Sequence, residues 1–360
     1  MKNIKTISLF ILILSLLNFT ACEKSENANT AIDLFDSEKA LNVSKEYLFN
    51  IKNGNIEGAN KLCSEELLSQ NVNISEGISD ITSFDKEKAI EGRNFGYYIY
   101  NVIRSSNIEP KSDLENFIIK VERNQDSYLI NEVKAQSKKE LFVIDKYLRI
   151  LEDEGGNSNI VLSLDSLPKD TYSSENKIML YKSKVPNNNF GKVCLSFTGK
   201  KVAISTVGDE MVYVCVANIE DSLTTFADES NSATGNSSSD MSQLEELLEK
   251  PIAKKIISLD LLKNCNINNF IFSKKEDSLA VIYTNGAGVK RINLYNANEG
   301  DMISRELDEE FNADEYNIAE VGFNSQEFIF NVTRVNTENG ERDKEGKYSF
   351  NVESHEINKL

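Results

Sequence analysis

The sequence predicts an α+β N-terminal domain followed by an all-β domain of repeated antiparallel meanders. Two observations predict the first domain: apolar residues recur at helical spacing from Ser37, and three strand-like runs follow between residues 95 and 134. A third observation predicts the second domain, because triplets of short apolar strands separated by polar turns recur after Val193.

The first residues have the pattern of an export signal. Lys2 and Lys5 precede an apolar run, Ile7 to Leu17, which is too short to cross a bilayer. Ordinary cleavage requires small residues at positions −1 and −3. Ala21 fits position −1, but Phe19 does not fit position −3.

The segment Thr20-Ala21-Cys22 resembles the lipobox of bacterial lipoproteins. The resemblance implies that residues 1–21 are a lipoprotein signal peptide and that Cys22 is acylated. The mature chain would then be anchored by lipid to the extracytoplasmic face of the cell membrane. The family more often has Leu where this chain has Phe19. A noncleaved anchor and plain secretion remain the alternatives.

The charge of the chain excludes one class of partner. Its formal net charge is −17, and removal of residues 1–21 takes away two lysines and makes it −19. A chain this acidic is repelled by phosphate backbones, so we expect no nucleic-acid partner. Anionic lipids repel it as well, so attachment to a membrane would depend on acyl chains rather than on a basic patch.

Residues 22–36 are polar and predict a flexible tether. The pattern after it predicts two amphipathic helices separated by Asn53-Gly54, a residue pair suited to a helix C-terminus. Residues 71–85 are irregular, and residues 86–90 predict a helical turn. The apolar positions of the two helices are Ala40, Val43, Tyr47, Leu48 and Ile51, and then Ala59, Leu62, Cys63, Leu67 and Leu68.

Three strand-like runs follow, Phe95–Ile103, Asn116–Glu122 and Ser127–Lys134, and the last two predict a hairpin. Residues 37–136 resemble the nuclear transport factor 2-like (cystatin-like) cone found in many bacterial lipoproteins. The resemblance lies in the helix, Lys52-Asn53-Gly54-Asn55, helix order and in the closing strand Ser127 to Val133.

This resemblance implies a cone-like domain that can hold a small ligand, and some members of the family are enzymes. The candidate ligand-binding residues are then Tyr98, Tyr100, Glu122 and Glu132. Tyrosines on strands are commonly core or rim residues, and Glu122 adjoins a turn. We therefore name no catalytic residue.

Residues 137–186 predict a region that bridges the two domains. Leu141–Ile144 and Tyr147–Leu151 are short apolar runs. Glu154-Gly155-Gly156-Asn157 is a turn signal, and Ile160–Leu164 after it predicts a strand. We interpret the region as a β-hairpin, although residues 137–151 fit a helix equally well.

Residues 187–360 predict three meanders. The first comprises residues 193–197, 201–206 and 211–217, the second residues 270–273, 279–284 and 289–295, and the third residues 321–323, 327–335 and 348–352. An insert at residues 226–243 is rich in Ser, Asn and Asp and predicts a mobile loop. A short helix at residues 244–248 is predicted to follow it.

The apolar–Phe–polar–Gly/Lys/Asp–apolar pattern of these meanders, as in Val193–Phe197 followed by Thr198-Gly199-Lys200, resembles the blades of TolB-like β-propellers. Propellers usually have four to eight blades, and three candidates are found here. The region is therefore either an incomplete propeller-like stack or a β-sandwich.

The remaining cysteines do not require disulfides. Cys194 and Cys215 fall on the first and third strands of a meander, which lie about 9–10 Å apart, whereas a disulfide needs Cα atoms within about 7 Å. We expect both to be buried free thiols, and we expect Cys63 to be buried on its helix.

The other chemistry-bearing residues have simpler interpretations. His355, the single histidine, is expected to be a solvated terminal residue. Asn285-Gly286-Ala287-Gly288 predicts a hairpin turn rather than a phosphate-binding loop. The acidic runs 152–154 and 308–315 lack the spacing of a calcium site and predict solvated loops. We predict no metal and no cofactor.

These observations favour a lipid-anchored extracytoplasmic protein that binds a protein, a peptide or another envelope component without catalysis. The alternative is an extracytoplasmic hydrolase or isomerase with a carboxylate and a tyrosine in the cone. A structural role in assembly of the envelope is a third hypothesis, which the sequence does not separate from the first.

Overall fold

The structure is a computed structural model that describes residues 35–70, 79–125, 127–152, 156, 158–173, 181–219, 250–336 and 340–360. The predicted signal peptide, Cys22, most of the tether, the insert 226–243 and the helix 244–248 lie outside these residues. Residues Ser37–Leu360 form one compact unit. Within the described part of the chain, no helix has both the length and the apolar character needed to span a membrane.

The unit begins with three helices, α1 (Ser37–Lys52), α2 (Ile56–Lys61) and α3 (Glu65–Ser69). Gly54, with φ of +69°, follows α1 and confirms the predicted helix end. The predicted second helix is divided in two because Leu62 and Ser64 exchange backbone hydrogen bonds with Ile130. Ser64 then caps α3 by accepting from the amide of Leu67 at 3.2 Å.

Six antiparallel strands form the first sheet, each paired with its neighbours in chain order. Residues 86–90, predicted to be a helical turn, belong to β1. They pair with residues 97–100 of β2, so cross-strand contacts override the local helical preference. The strands are β1 (Ser79–Glu91), β2 (Phe95–Ser106), β3 (Ser112–Asn124), β4 (Ser127–Ile144), β5 (Tyr147–Glu152) and β6 (Asn159–Ser163).

β4 continues without a break through residue 136, where the sequence predicted a domain boundary. β4 and β5 form a hairpin with Asp145 in the left-handed conformation, and residues 137–151 lie in these strands and their turn rather than in a helix. β6 occupies the predicted strand at residues 160–164. A small two-stranded sheet follows, formed by β7 (Asp170–Tyr172) and β8 (Lys182–Lys184).

The rest of the chain confirms the predicted repetition of meanders. Three antiparallel sheets follow one another, and the first and third have one strand more than predicted. Their strands are β9 (Asn189–Leu195), β10 (Lys201–Val207), β11 (Met211–Ile219) and β12 (Ala253–Lys263) in the first meander; β13 (Cys265–Phe272), β14 (Ser278–Asn285) and β15 (Lys290–Asn296) in the second; and β16 (Tyr316–Asn324), β17 (Glu327–Arg334), β18 (Gly346–Asn351) and β19 (Ile357–Lys359) in the third.

A short helix, α4 (Arg305–Glu310), connects the second and third meanders. One apolar core joins the six-stranded sheet to the first meander and part of the second, and a further core joins the second meander to the third. Since Leu114 and Leu141 of the sheet share the first core with the meanders, the two predicted domains pack against each other directly.

Cys194 and Cys215 lie on the first and third strands of the first meander, as predicted. Cys194 pairs with Ala203 and Cys215 pairs with Ile204, so β10 lies between the two cysteines. Both are buried and free. Cys63 is half-buried, and its thiol donates to the carbonyl of Ala59 at 3.4 Å.

Candidate functional site

The two predicted tyrosines of β2 are core residues with hydrogen-bond partners on or beside α1. The Tyr98 hydroxyl donates to the carbonyl of Ser37 at 3.1 Å, and the Tyr100 hydroxyl lies 2.5 Å from the Ser44 hydroxyl. Both side chains are buried, and burial raises the pKa of Tyr100 to about 12. These hydroxyls connect the helix to the sheet.

The two predicted glutamates lie on the other face of the same sheet. Tyr98 pairs with Ile119, whereas Glu132 pairs with the adjacent residue Lys120, and adjacent residues of a strand point to opposite faces. Glu122 is two residues from Lys120 and shares its face. Lys120 forms an ion pair with Glu122, and Lys134 forms one with Glu132. The structure therefore does not bring the four residues into one site.

A cleft with a volume of about 380 Å³ lies where α1 and β1 meet the second and third meanders. Its size is in the range of small-molecule sites. Of the four predicted residues, Tyr100 is the one that reaches it. The cleft is lined by Lys45, Phe49, Lys52, Ser83, Phe84, Asp85, Lys86, Tyr100, Phe197, Ile271, Phe272, Lys274, Val321, Gly322, Phe323, Asn324, Ser325 and Ile329.

The charge of this cleft is opposite to that of the chain. The whole sequence has 57 acidic and 40 basic residues, whereas four lysines and one aspartate line the cleft. Lys274 forms an ion pair with that residue, Asp85, at 3.0 Å. Clefts with an excess of one sign of charge favour ligands of the other sign, so the lining of this cleft favours an anion.

Helix α1 supplies one wall of the cleft through a single face. Lys45, Phe49 and Lys52 are spaced four and three residues apart, and this spacing places them one above the other on a helix. The Phe49 side chain is 46% exposed. An exposed phenylalanine between two lysines gives this face both an apolar and a cationic character.

Lys52 holds α1 against the third meander. Its ammonium group donates to the carbonyl of Val321 at 2.8 Å. Burial lowers the pKa of Lys52, and the nearby carboxylate of Glu320 partly opposes this shift. Lys52 therefore contributes to the junction as well as to the wall of the cleft.

Aromatic rings form the apolar part of the cleft. Phe84 contacts Tyr100 edge to face with ring centroids 6.0 Å apart, and Phe323 contacts Phe328 in the same way at 4.9 Å. Phe197 comes from the first meander and lies half-buried. Because the six-stranded sheet, the first meander and the third meander carry them, these rings are fixed by the packing of the whole unit.

A second cleft, of about 260 Å³, shares Lys52 with the first and is predominantly polar. Asn107 links two of its charged groups: Lys192 donates to the side-chain carbonyl of Asn107 at 2.7 Å, and the Asn107 amide donates to Asp80 at 2.6 Å. Lys192 also donates to the carbonyl of Ser106. Lys192 and Asp80 are therefore already held by Asn107.

Two further carboxyl groups lie on the tyrosine face of the six-stranded sheet. Asp113 and Glu115 are two residues apart on β3, and Arg104 of β2 pairs with Asp113. The Arg104 guanidinium is 3.9 Å from Glu115. Burial raises the pKa of both carboxyl groups. Asp113 and Glu115 were not predictable as a pair, because nothing in the strand pattern distinguishes them from other acidic residues.

The other predicted positions are placed as follows. Asn285 begins the turn between β14 and β15 and accepts from the amides of Ala287 and Val289, so the predicted hairpin turn is confirmed. His355 is partly exposed and lies 3.8 Å from Glu306. Asp308 lies in α4 and forms an ion pair with Arg291. In the described ranges, no group of three or more His, Cys, Asp and Glu residues could hold a metal ion.

The cleft residues were missed because they come from distant parts of the sequence. The one local signal was the Lys45, Phe49 and Lys52 stripe of α1, a cationic and aromatic stripe beside the apolar core stripe. The remaining walls depend on packing of β1 against the second and third meanders, which the strand pattern does not specify.

No family model and no curated protein matches the sequence. Solved structures with some similarity include TolB from Acinetobacter baumannii, with 11% identity, a TM-score of 0.26, and coverage of 69% of this chain and 54% of that one. A putative dipeptidyl aminopeptidase IV from Bacteroides ovatus has 11% identity, a TM-score of 0.28, and coverage of 78% and 42%.

A puromycin-hydrolyzing peptidase from Mycobacterium tuberculosis has 8% identity, a TM-score of 0.19, and coverage of 77% of this chain and 52% of that one. The chain thus spans about half of the length of each of these three proteins. Similarities at such low TM-scores carry no information on the activity of this chain, which is mostly β and built largely from successive antiparallel meanders.

Proposed function

We propose that the chain is a lipid-anchored extracytoplasmic protein that binds a ligand in the cleft beside α1 without catalysing a reaction. The observation that carries this proposal is the composition of the cleft. Four lysines and a set of aromatic rings line a small-molecule-sized space in a strongly acidic chain. Pockets that combine apolar walls with a few polar groups are the usual binding sites of proteins.

The location and the family relationships belong to the same proposal. The lipobox-like segment ending at Cys22 supports export and acylation. The order of helices and strands in residues 37–136 supports a nuclear transport factor 2-like domain. The successive antiparallel meanders of residues 187–360 support a TolB-like repeat region.

An enzyme is the second candidate, and one observation favours it. Asp113 and Glu115 share a sheet face with Tyr98 and Tyr100, and both carboxyl groups have a raised pKa. Carboxyl groups with perturbed pKa values are typical of acid and base catalysts. Against this candidate, none of the residues that line the two clefts is Asp113 or Glu115.

Photocrosslinking in intact cells tests the binding proposal. The photoreactive amino acid p-benzoylphenylalanine replaces Phe49 in the cleft, and in the matched control it replaces Phe95, a phenylalanine that is 36% exposed and does not line the cleft. We expect a mass-shifted peptide after irradiation at position 49 and not at position 95. Equal adducts at both positions, or none at position 49, would contradict the proposal.

Mass spectrometry of the membrane fraction tests the anchor. We expect the mature N-terminus at Cys22 to carry acyl chains, and we expect a Cys22→Ser variant to lack them. An unmodified Cys22, or a wild-type chain found free in the cytosol, would contradict the anchor.

A paired variant separates binding from catalysis. Asp113→Asn with Glu115→Gln removes both acidic groups and leaves the cleft intact. If the chain is an enzyme, an envelope extract should lose a substrate on incubation with the wild type and not with this variant. If it is a binding protein, both extracts should stay unchanged.

A further inference from the structure

We propose that the cleft takes an amphipathic anion, with a single carboxylate or phosphate head and an apolar body. The proposal rests on the proposed binding function and names the chemistry of the ligand. Two features of the cleft support this proposal. Some of its lysines have no counter-charge among the described residues, and some of its aromatic rings are exposed.

Two of the four lysines of the cleft have a partner among the described residues, and two do not. Lys274 is paired with Asp85, and Lys52 faces Glu320 and donates to a backbone carbonyl. Lys45 and Lys86 have no hydrogen bond or ion pair with any residue that the structure describes. Since acidic residues outnumber basic ones in the chain, two cations without a partner among the described residues of one cleft are best explained by an anionic ligand.

The apolar wall requires the rest of the ligand to be apolar. Phe49, Phe197 and Phe323 all line the cleft, and Phe49 is nearly half exposed. Covering exposed aromatic surface is favourable in proportion to the area removed from water. A small inorganic anion would bind the lysines but leave these rings in water, so the cleft fits a head and a body together.

The geometry of the cations also limits the head group. A lysine ammonium is a compact point charge, without the planar fork by which arginine selects carboxylate or phosphate geometry. Carboxylate and phosphate heads therefore share the chemistry that this cleft recognises. The volume of about 380 Å³ accommodates a small molecule or the end of a chain, and not a folded domain.

Three probes that share a phenylbutyl body test the proposal: 4-phenylbutanoate, 4-phenylbutyl phosphate and the neutral 4-phenylbutan-1-ol. The full chain is held in phospholipid nanodiscs, and empty nanodiscs correct for partition into lipid. Binding is measured by calorimetric titration. We expect both anions to bind at least about tenfold more tightly than the alcohol, because both free lysines attract an anionic head at close range.

The variant Lys45→Gln with Lys86→Gln should abolish this tenfold preference. The matched control is Lys88→Gln with Lys275→Gln, which removes two exposed lysines next in sequence to the cleft without touching its lining. The control should keep the preference for anions, because it leaves Lys45 and Lys86 in place. The two double variants are matched, because each removes two positive charges. The tighter of the two anions then identifies the head group.

Three outcomes would overturn the proposal. If the alcohol binds as tightly as the anions, the requirement for an anion is wrong while the binding function stands. If both variants lose the preference equally, the effect comes from overall charge and not from the cleft. If no probe binds although position 49 crosslinks to a ligand in cells, the ligand belongs to another chemical class.

Discussion

Polar groups lie among aromatic rings at two places in the molecule, and the hydrogen bonding of these groups differs between the two. Between the first two meanders, the buried Tyr295 hydroxyl donates to Asp260 at 2.6 Å and accepts from the amide of Asn293 at 3.1 Å. In the cleft beside α1, Lys45 and Lys86 face an open space with no partner among the described residues. We call the first arrangement, formed by Tyr295, Asp260 and Asn293, the closed region, because its polar groups bind one another. The cleft, in contrast, is open.

This difference separates residues that stabilise the fold from residues that are available to a ligand. Buried polar groups are normally satisfied by hydrogen bonds, because an unsatisfied one is costly. Cleft groups that remain unpaired add little to stability. Mutations in the closed region should therefore lower the free energy of unfolding, whereas mutations of the cleft lysines should not.

The largest effect is expected from Gly300→Ala, at the turn after β15. Gly300 has φ of +86°, and a Cβ atom there would lie 2.4 Å from the carbonyl oxygen of Ser258. The backbone of β12 must shift to accommodate it, so we expect a loss of about 3 kcal/mol or more in chemical denaturation.

Gly288→Ala is the matched control, at the turn between β14 and β15. Gly288 has a similar φ of +82°, but open space surrounds its Cβ position. The backbone strain alone should cost about 1 kcal/mol. Equal losses for the two variants would show that the region around β12 is less closely packed than described.

Tyr295→Phe should have the next largest effect, because it removes the hydroxyl that bonds to Asp260 while keeping the ring. We expect a loss of about 2–3 kcal/mol in urea unfolding. The control is Tyr283→Phe, whose hydroxyl lies 3.5 Å from Asn293, at the limit of a hydrogen bond. It should lose less than about 1 kcal/mol, and the reverse order would contradict the comparison.

Stability at alkaline pH tests the packing beside the closed region, because Cys215 lies buried on β11 and pairs with Ser258 of β12. Burial raises the pKa of Cys215 to about 12. The unfolded chain loses this proton near pH 9, so the free energy of unfolding should fall as pH rises from about 9 towards 12. The contribution of one thiol is about 1.4 kcal/mol per pH unit. Cys215→Ala should flatten the slope by this amount, and an unchanged slope would mean that the thiol is accessible to water.

The smallest effect is expected in the cleft. Lys45→Met and Lys86→Met should each change the free energy of unfolding by no more than about 0.5 kcal/mol, because neither ammonium group has a partner to lose among the residues that the structure describes. Thermal unfolding without ligand measures this directly. A loss above about 1 kcal/mol would assign these lysines to the fold and weaken the contrast with the region around Tyr295.

Local patterns in the sequence specified most of the strands. The three meanders were predictable because apolar strands and polar turns, such as Asn285 to Gly288, leave a clear local signal. The helical prediction for residues 86–90 was wrong because pairing with β2 outweighs local preference. The predicted second helix was interrupted for the same kind of reason, since residues around Cys63 bond to Ile130.

The cleft was not predictable, because its walls come from α1, β1 and the turns of two meanders. Tyr100, predicted to bind a ligand together with Glu122 and Glu132, lines the cleft, but its hydroxyl is bound to Ser44 and does not share a site with either glutamate. Which face a side chain occupies depends on strand register, and register depends on bulges such as the one in β1 between Ile81 and Ser83.

The most direct test of the cleft is NMR of the full chain in nanodiscs, with its lysines carrying ¹³C-methyl groups that keep their charge. Titration with 4-phenylbutanoate should shift the signals of Lys45 and Lys86, assigned from the two single variants, and leave those of Lys88 and Lys275 in place. Shifts spread evenly over the lysines, or absent at Lys45 and Lys86, would contradict the account.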